Sequence, residues 1–174
     1  YITHERASTL ATMGQLDQAE KELTRATTAS RKAGNLYGEG GAQGVGIRIE
    51  MLRGNHQLAA ERSRESLEHA RRHNLERLIC LRQIDLAKAL SELGRFDDAH
   101  RSLDEALAIA LLKQDHPAQF FAYHARWRAR NAEGDFQRAR LELGAAEYTM
   151  RYVDEDCPEA LEIRDAVVAA RSAS

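Results

Sequence analysis

Four stretches share one pattern, in which an alanine follows a glycine by five residues: Gly14-Gln-Leu-Asp-Gln-Ala19, Gly54-Asn-His-Gln-Leu-Ala59, Gly94-Arg-Phe-Asp-Asp-Ala99 and Gly134-Asp-Phe-Gln-Arg-Ala139. The glycines stand at positions 14, 54, 94 and 134, so their spacing is 40 residues each time. A fixed period of this length is typical of repeat architectures, in which each unit packs only against its neighbours. The sequence therefore predicts an array of four repeats without a single central core.

Each repeat has the pattern of a helix, a turn and a second helix. The glycine ends an apolar-periodic stretch, where a helix C-terminus favours a residue in the left-handed conformation. The alanine lies one turn into the second helix, where two helices approach closely. Apolar residues follow on the same helical face, four and then three residues further on: Leu23, Leu103 and Leu143, then Ala26, Ala106 and Ala146.

The second repeat departs from these columns. It has Ser63 and Ser66 where the other repeats have leucine and alanine. We expect its apolar face to be shifted by one residue, through Ala60, Leu67 and Ala70.

The composition favours helices throughout. Alanine, leucine, glutamate and arginine are abundant, and the only two prolines, Pro117 and Pro158, stand where helices are expected to start. We predict one all-α domain over 1–174, with repeats at about 1–35, 36–75, 76–115 and 116–157 and a terminal helix at 158–172, within a longer protein. The predicted helices are 1–13, 16–33, 36–53, 56–73, 76–93, 96–112, 117–133, 136–152 and 158–172.

The segment 38–46 breaks the helical pattern. It holds five glycines, each of which costs a helix up to about 1 kcal/mol relative to alanine. We still predict a helix, because the repeat requires one between two others, although Val45, Ile47, Ile49 and Met51 alternate as in a strand. A phosphate-binding loop is the functional alternative, but the G-x-G-x-x-G order, the Walker lysine and the βαβ context are all missing. Close helix packing or a locally mobile helix is the better interpretation.

The third repeat resembles the tetratricopeptide repeat family most closely, through Leu86, Ala87, Leu90, Gly94, Phe96, Ala99, Leu103 and Ala106. The family's usual period is about 34 residues, and the longer repeats here are similar to those of large bacterial signal-responsive regulators. The aromatic residue that the family has early in its first helix is present only as Tyr123. The resemblance implies a right-handed superhelix with a concave groove, lined by the first helix of each repeat, that captures a peptide or helix of a partner.

A column of cations follows the same period: Arg48, Lys88 and Arg128. By the resemblance this column faces the groove, and the neighbouring columns place three more residues there, His124, Ile84 and Phe121. Cations along an apolar-lined groove suit a carboxylate, an acidic helix or a phosphopeptide. The alternative is that these long side chains only cover a solvated helix face.

Arg126 and Arg130 flank Arg128 in the sequence but do not extend this column. Residues i and i+2 diverge by about 200° around a helix. We therefore expect Arg128 to point away from the other two.

Other candidate sites are weaker. His69 and His73 stand one turn apart after Glu65, but two arginines lie between them and no H-E-x-x-H glutamate is present, so we expect a solvated face and no metal. Trp127 is expected to pack between helices. We find no motif for a nucleophile or a carboxylate pair, and therefore predict neither an enzyme nor a cofactor.

The charge and the cysteines restrict partners and location. A net charge of −2 argues against a nucleic-acid-binding surface spread over the chain. Cys80 and Cys157 are isolated, so neither a disulfide framework nor a zinc site is expected, and a reducing cytoplasm is the natural setting. No apolar run is long enough for a membrane span, and no signal peptide is recognisable.

The sequence thus predicts a module that binds a protein or peptide, with an acidic partner segment in the groove, as the sensor or interaction part of a bacterial regulatory protein. The alternative is a structural module that self-associates without a groove ligand. For that alternative, the apolar residues of the terminal helix, including Leu161 and Val168, would form a homodimer contact.

Overall fold

The computed structural model describes residues 4–172 and has no strand within that range. Nine α-helices and one short 3-10 helix follow in order: α1 (His4–Thr12), α2 (Leu16–Lys32), α3 (Leu36–Leu52), α4 (His56–Arg72), α5 (Glu76–Glu92), α6 (Phe96–Leu112), α7 (His116–Glu133), α8 (Phe136–Thr149), the 3-10 helix (Met150–Tyr152) and α9 (Pro158–Ser172). The all-α fold of repeated helix pairs is confirmed. The observed helix boundaries agree with the predicted ones to within one residue, with one exception: α8 ends at Thr149, where the predicted helix continues to 152. The predicted start of the first helix, at residues 1–3, lies outside the described residues.

The turns repeat every 20 residues, which is half of the period seen in the sequence. Seven of them place one residue in the left-handed conformation, with φ between 52° and 86°: Gly14, Gly34, Gly54, Asn74, Gly94, Gln114 and Gly134. The same two hydrogen bonds close each turn. At Gly94, for example, its N–H donates to the Ser91 carbonyl at 3.0 Å, and the next N–H, of Arg95, donates to the Leu90 carbonyl at 2.9 Å. This is the Schellman arrangement, which satisfies the last carbonyls of each helix.

The alanine that follows each repeat glycine is buried, as the spacing predicts. Ala19, Ala59, Ala99 and Ala139 are at most 2% exposed. In the second repeat the expected apolar residues Ala60, Leu67 and Ala70 are buried, at 5% exposure or less. Ser63 and Ser66 also remain buried, at 0% and 4% exposure, so the buried face is wider rather than shifted. Ser63 donates to the Ala59 carbonyl at 2.7 Å, and Ser66 donates to the side chain of Gln43 at 2.6 Å. Each hydroxyl therefore has a hydrogen-bond partner, which makes its burial tolerable.

The glycine-rich segment forms the regular helix α3, and three of its glycines explain how. A methyl group at Gly40 would overlap Leu78 of α5, one at Gly41 would overlap the His4 ring of α1, and one at Gly44 would overlap the guanidinium of Arg82 in α5. The glycines therefore let α3 pack closely against both neighbours. Because α3 is covered on several sides, its buried residues do not follow a single helical face.

The odd-numbered helices form one side of the array. Each of α1, α3, α5 and α7 packs against the next odd-numbered helix, whereas the even-numbered helices make at most marginal contact with one another. The odd-numbered helices therefore lie closer together than the even-numbered ones, and we call the side that they form the inner side of the array. The superhelical curvature and its handedness stay predictions from the family resemblance.

The terminal helix α9 packs on α7 and α8 through an apolar face. Ala160, Ile163 and Val167 are buried in a cluster that includes Phe120 of α7 and Leu143 of α8. Most of the apolar content of α9 is thus used within the chain. Leu161 and Val168 stay 42% and 60% exposed on its other side, and a homodimer contact through them stays a prediction.

Candidate functional site

A groove of about 380 Å³ opens on the inner side of the array. Residues of the five odd-numbered helices line it, and no residue of an even-numbered helix does so within the described part of the chain. Its walls carry both charged and apolar side chains, among them Arg48, Met51, Lys88, Glu92, Arg128 and Glu162. The three cations of the 40-residue column therefore lie along one groove, each on a successive odd-numbered helix.

The cations differ in their partners. Lys88 Nζ lies 3.2 Å from Oε1 of Glu159 on α9, and Arg128 lies 3.6 Å from Glu92 and 3.9 Å from Glu162. Carboxylates thus partly neutralise the column of cations. Two of these carboxylates, Glu159 and Glu162, belong to the terminal helix α9.

Arg48 stands at the other end of the groove without a carboxylate within 4.0 Å among residues 4–172. Its side chain is exposed and donates a hydrogen bond to the hydroxyl of Ser8 at 3.3 Å. Beside it, Leu52 is 54% exposed and Met51 is partly exposed. This end of the groove combines an accessible cation with an accessible apolar surface.

His124 contributes to the groove from a buried position. It is 2% exposed, and its Nε2 lies 2.8 Å from a carboxylate oxygen of Glu162. Its ring packs near Phe120 and Trp127, at centroid distances of 6.3 and 5.9 Å. The hydrogen bond from His124 lowers the pKa of the Glu162 carboxyl, which favours its charged form. Trp127 packs against the same apolar cluster, as expected for an inter-helix residue.

Two residues expected in the groove lie elsewhere. Ile84 is 2% exposed and belongs to the central core cluster, so its placement on the groove surface is wrong. Phe121 is partly buried against the core and is absent from the groove lining, although its ring lies 5.9 Å from Lys88 Nζ. The Phe121 ring is therefore a neighbour of the Lys88 ammonium group, although Phe121 does not line the groove.

The residue pair Arg82 and Asp85 was missed in the sequence analysis. Asp85 lines the groove, and its carboxylate lies 3.2 Å from Nη2 of Arg82, which is only 5% exposed. The guanidinium of Arg82 lies against Gly44, and alanines, Ala42 and Ala122, stand at the positions 40 residues before and after it. Arg82 therefore balances the charge of Asp85 at the floor of the groove.

The arginines that flank Arg128 point to the other side of α7, as the helical geometry predicts. Arg126 pairs with Asp104 of α6 and Glu142 of α8, and Arg130 pairs with Glu133 and Asp135. The pKa of Glu142 is raised, because the effect of burial is larger than the lowering effect of the Arg126 charge. These pairs join α6, α7 and α8 and lie away from the groove.

The described residues offer few other chemical sites. Within 4–172, no group of three metal-ligating side chains is close enough to hold an ion, and the rings of His69 and His73 simply lie 4.7 Å apart. Burial raises the pKa of the Cys80 thiol to about 11, which makes it a poor nucleophile. No helix in the same range has the length and apolar character needed to cross a membrane.

No protein-family model matches the chain, and no curated protein shows significant sequence similarity to it. The likeness to the tetratricopeptide family therefore depends only on the repeat residues and on the all-helical architecture.

Proposed function

We propose that this chain is a protein-binding repeat module whose groove takes an acidic, partly apolar segment of a partner. The observation that supports this best is the line of Arg48, Lys88 and Arg128 along a single groove. Carboxylates are the natural ligands of such a line, since charge-assisted hydrogen bonds to arginine and lysine are stronger than neutral ones. The accessible Met51 and Leu52 would take the apolar face of an amphipathic helix, which is a common way for helical grooves to recognise peptides.

This function fits a sensor or interaction module of a bacterial regulatory protein in the cytoplasm. The family resemblance and the isolated cysteines support that setting.

Arg48 is the best residue for testing the proposal, because it is accessible and has only a hydroxyl partner. A library of helical peptides would be selected by phage display against the wild-type chain. The affinities of the enriched peptides would then be measured by fluorescence anisotropy for wild type, for Arg48→Glu and for Lys21→Glu. Lys21 is an exposed cation on α2, away from the groove, and serves as the charge-matched control.

We expect the enriched peptides to be rich in aspartate and glutamate. Arg48→Glu should weaken their binding by about tenfold or more, because it places like charges opposite one another, while Lys21→Glu should leave it unchanged. Circular dichroism would verify that both variants are folded. Peptides without an excess of acidic residues, or equal binding by Arg48→Glu, would contradict the proposal.

A further inference from the structure

The terminal helix places two carboxylates in the groove. Glu159 and Glu162 are three residues apart on α9, so they lie on the same face of that helix. Both line the groove, as does Pro158 at the start of the helix. Helix α9 thus presents a short acidic face to the groove. An acidic face is also what the proposed partner segment would bring to the groove.

These carboxylates already hold the cations of one half of the groove. Glu159 bonds to Lys88, and Glu162 bonds to His124 and lies near Arg128. The pair of Glu159 and Lys88 is largely shielded from water, with side-chain exposures of 21% and 29%. Burial raises the pKa of Glu159, but several lowering effects, of which the charge of Lys88 is the largest, together outweigh it, so the pKa is lowered. Both carboxylates are therefore held in the charged form that can pair.

The groove consequently has two unlike halves. We call the part around Lys88, His124 and Arg128 the closed half, because carboxylates of α9 contact Lys88 and His124, and Arg128 lies between Glu162 of α9 and Glu92 of α5. The part around Arg48 and Leu52 is the open half, since its cation faces solvent and has only the Ser8 hydroxyl as a partner.

We propose that Glu159 and Glu162 are internal occupants of the closed half, and that an acidic partner segment reaches Lys88 and Arg128 only by exchanging its own carboxylates for these two. The inference rests on the proposed function and adds its regulation: the chain limits the affinity of its own groove. The open half makes the first contact, and the closed half is taken second.

Such an exchange does not require α9 to leave the array. Ile163 and Val167 hold the helix on Phe120 and Leu143 independently of the two glutamates. The exchange gives Lys88 a new carboxylate in place of the one it loses, so the cation is not left unpaired. The side chains of Glu159 and Glu162 need only rotate away from the groove.

The test compares three versions of this 174-residue chain: wild type, Glu159→Gln/Glu162→Gln, and Glu155→Gln/Asp165→Asn. The last is a charge-matched control, because it removes two exposed carboxylates near or within α9 that do not line the groove. The probe is a fluorescein-labelled peptide with the sequence of residues 156–172, whose own glutamates supply the competing carboxylates. A second peptide carries glutamine in place of both glutamates.

We expect the glutamine variant to bind the acidic peptide about five- to tenfold more tightly than wild type, because Lys88 is freed and Arg128 keeps only Glu92. The control protein should match wild type, and the glutamine-substituted peptide should lose the gain. Equal binding of the acidic peptide by all three proteins would overturn the inference and leave the proposed function standing. If none of the three binds it, the inference is also overturned, while the proposed function is decided separately by the peptide selection and Arg48→Glu.

Discussion

Lys88 on α5 and Glu159 on α9 are 71 residues apart in the sequence, and their side chains form an ion pair with an Nζ–Oε1 distance of 3.2 Å. In the odd-numbered series, α7 stands between α5, which carries Lys88, and α9, which carries Glu159. The terminal helix is therefore held in two ways, by its apolar face on α7 and α8 and by this bond across the groove.

Lys88→Met should destabilise the chain by about 1–2 kcal/mol, because it leaves the partly buried carboxylate of Glu159 without its cation. Urea unfolding followed by circular dichroism would measure the loss. The matched control is Lys113→Met, which breaks the more exposed pair of Lys113 with Glu76 and should cost less than about 0.5 kcal/mol. Equal losses in both variants would show that the position of Lys88 in the groove has no special importance.

The same pair should make stability depend on pH. The pKa of Glu159 is lowered in the folded chain, so its contribution is present above the ordinary pKa of about 4.5 and is lost as the pH falls through the lowered value. Glu159→Gln should therefore be less stable than wild type at pH 7, by about 0.5–1 kcal/mol, and this difference should be smaller at pH 3. Urea unfolding at the two pH values measures this, with Asp165→Asn as the exposed control. A difference that persists unchanged at pH 3 would contradict the assignment.

The sequence predicted the helices well because their glycine and alanine columns recur at a fixed spacing. The turns after α4 and α6 are predicted from the helix spacing alone, since Asn74 and Gln114 stand there where the turn after α2 has Gly34. Without glycine, those two left-handed positions carry no recognisable signal of their own.

The groove was predicted in part. Arg48, Lys88 and Arg128 could be found because they share one column, whereas Glu159 and Glu162 belong to a terminal helix that starts two residues late relative to the 20-residue series. Their contacts with the cations depend on packing between distant repeats. Ile84 was wrongly predicted to lie on the groove surface. The position of a residue in the repeat predicts the direction of its side chain, but not how closely the neighbouring helix packs against it.

Gln114→Gly should stabilise the chain by about 0.5–1 kcal/mol. Gln114 has a φ of 52°. In this left-handed conformation a residue with a Cβ is destabilised by roughly 1–2 kcal/mol, which exceeds the entropy cost of placing glycine there. Asn74→Gly, at φ of 53°, should gain less, because asparagine tolerates the left-handed region better. Thermal unfolding of both variants would test the order. A loss of stability at Gln114→Gly would mean that its side chain makes contacts that outweigh the strain.

Gly40→Ala should destabilise the chain by about 1–3 kcal/mol, although alanine is the better helix former. The added methyl group would overlap Leu78, which is buried between α3 and α5. Gly144→Ala on α8 is the matched control, because no atom lies within 4 Å of the added methyl. It should gain up to about 1 kcal/mol. Urea unfolding of the two variants should give changes of opposite sign, and a gain at Gly40 would show that α3 does not need its close approach.

The buried residues fall into separate clusters along the array, and this has a consequence for how the chain unfolds. The largest cluster joins α3 to α7, while smaller ones lie between α1 and α3 and around α7, α8 and α9. Because each helix contacts only nearby helices, folding can start in the central helices and spread outwards with little loop-closure cost. Force applied to the two ends would accordingly unravel the chain helix by helix from its terminal pairs, with the central helices the last to yield.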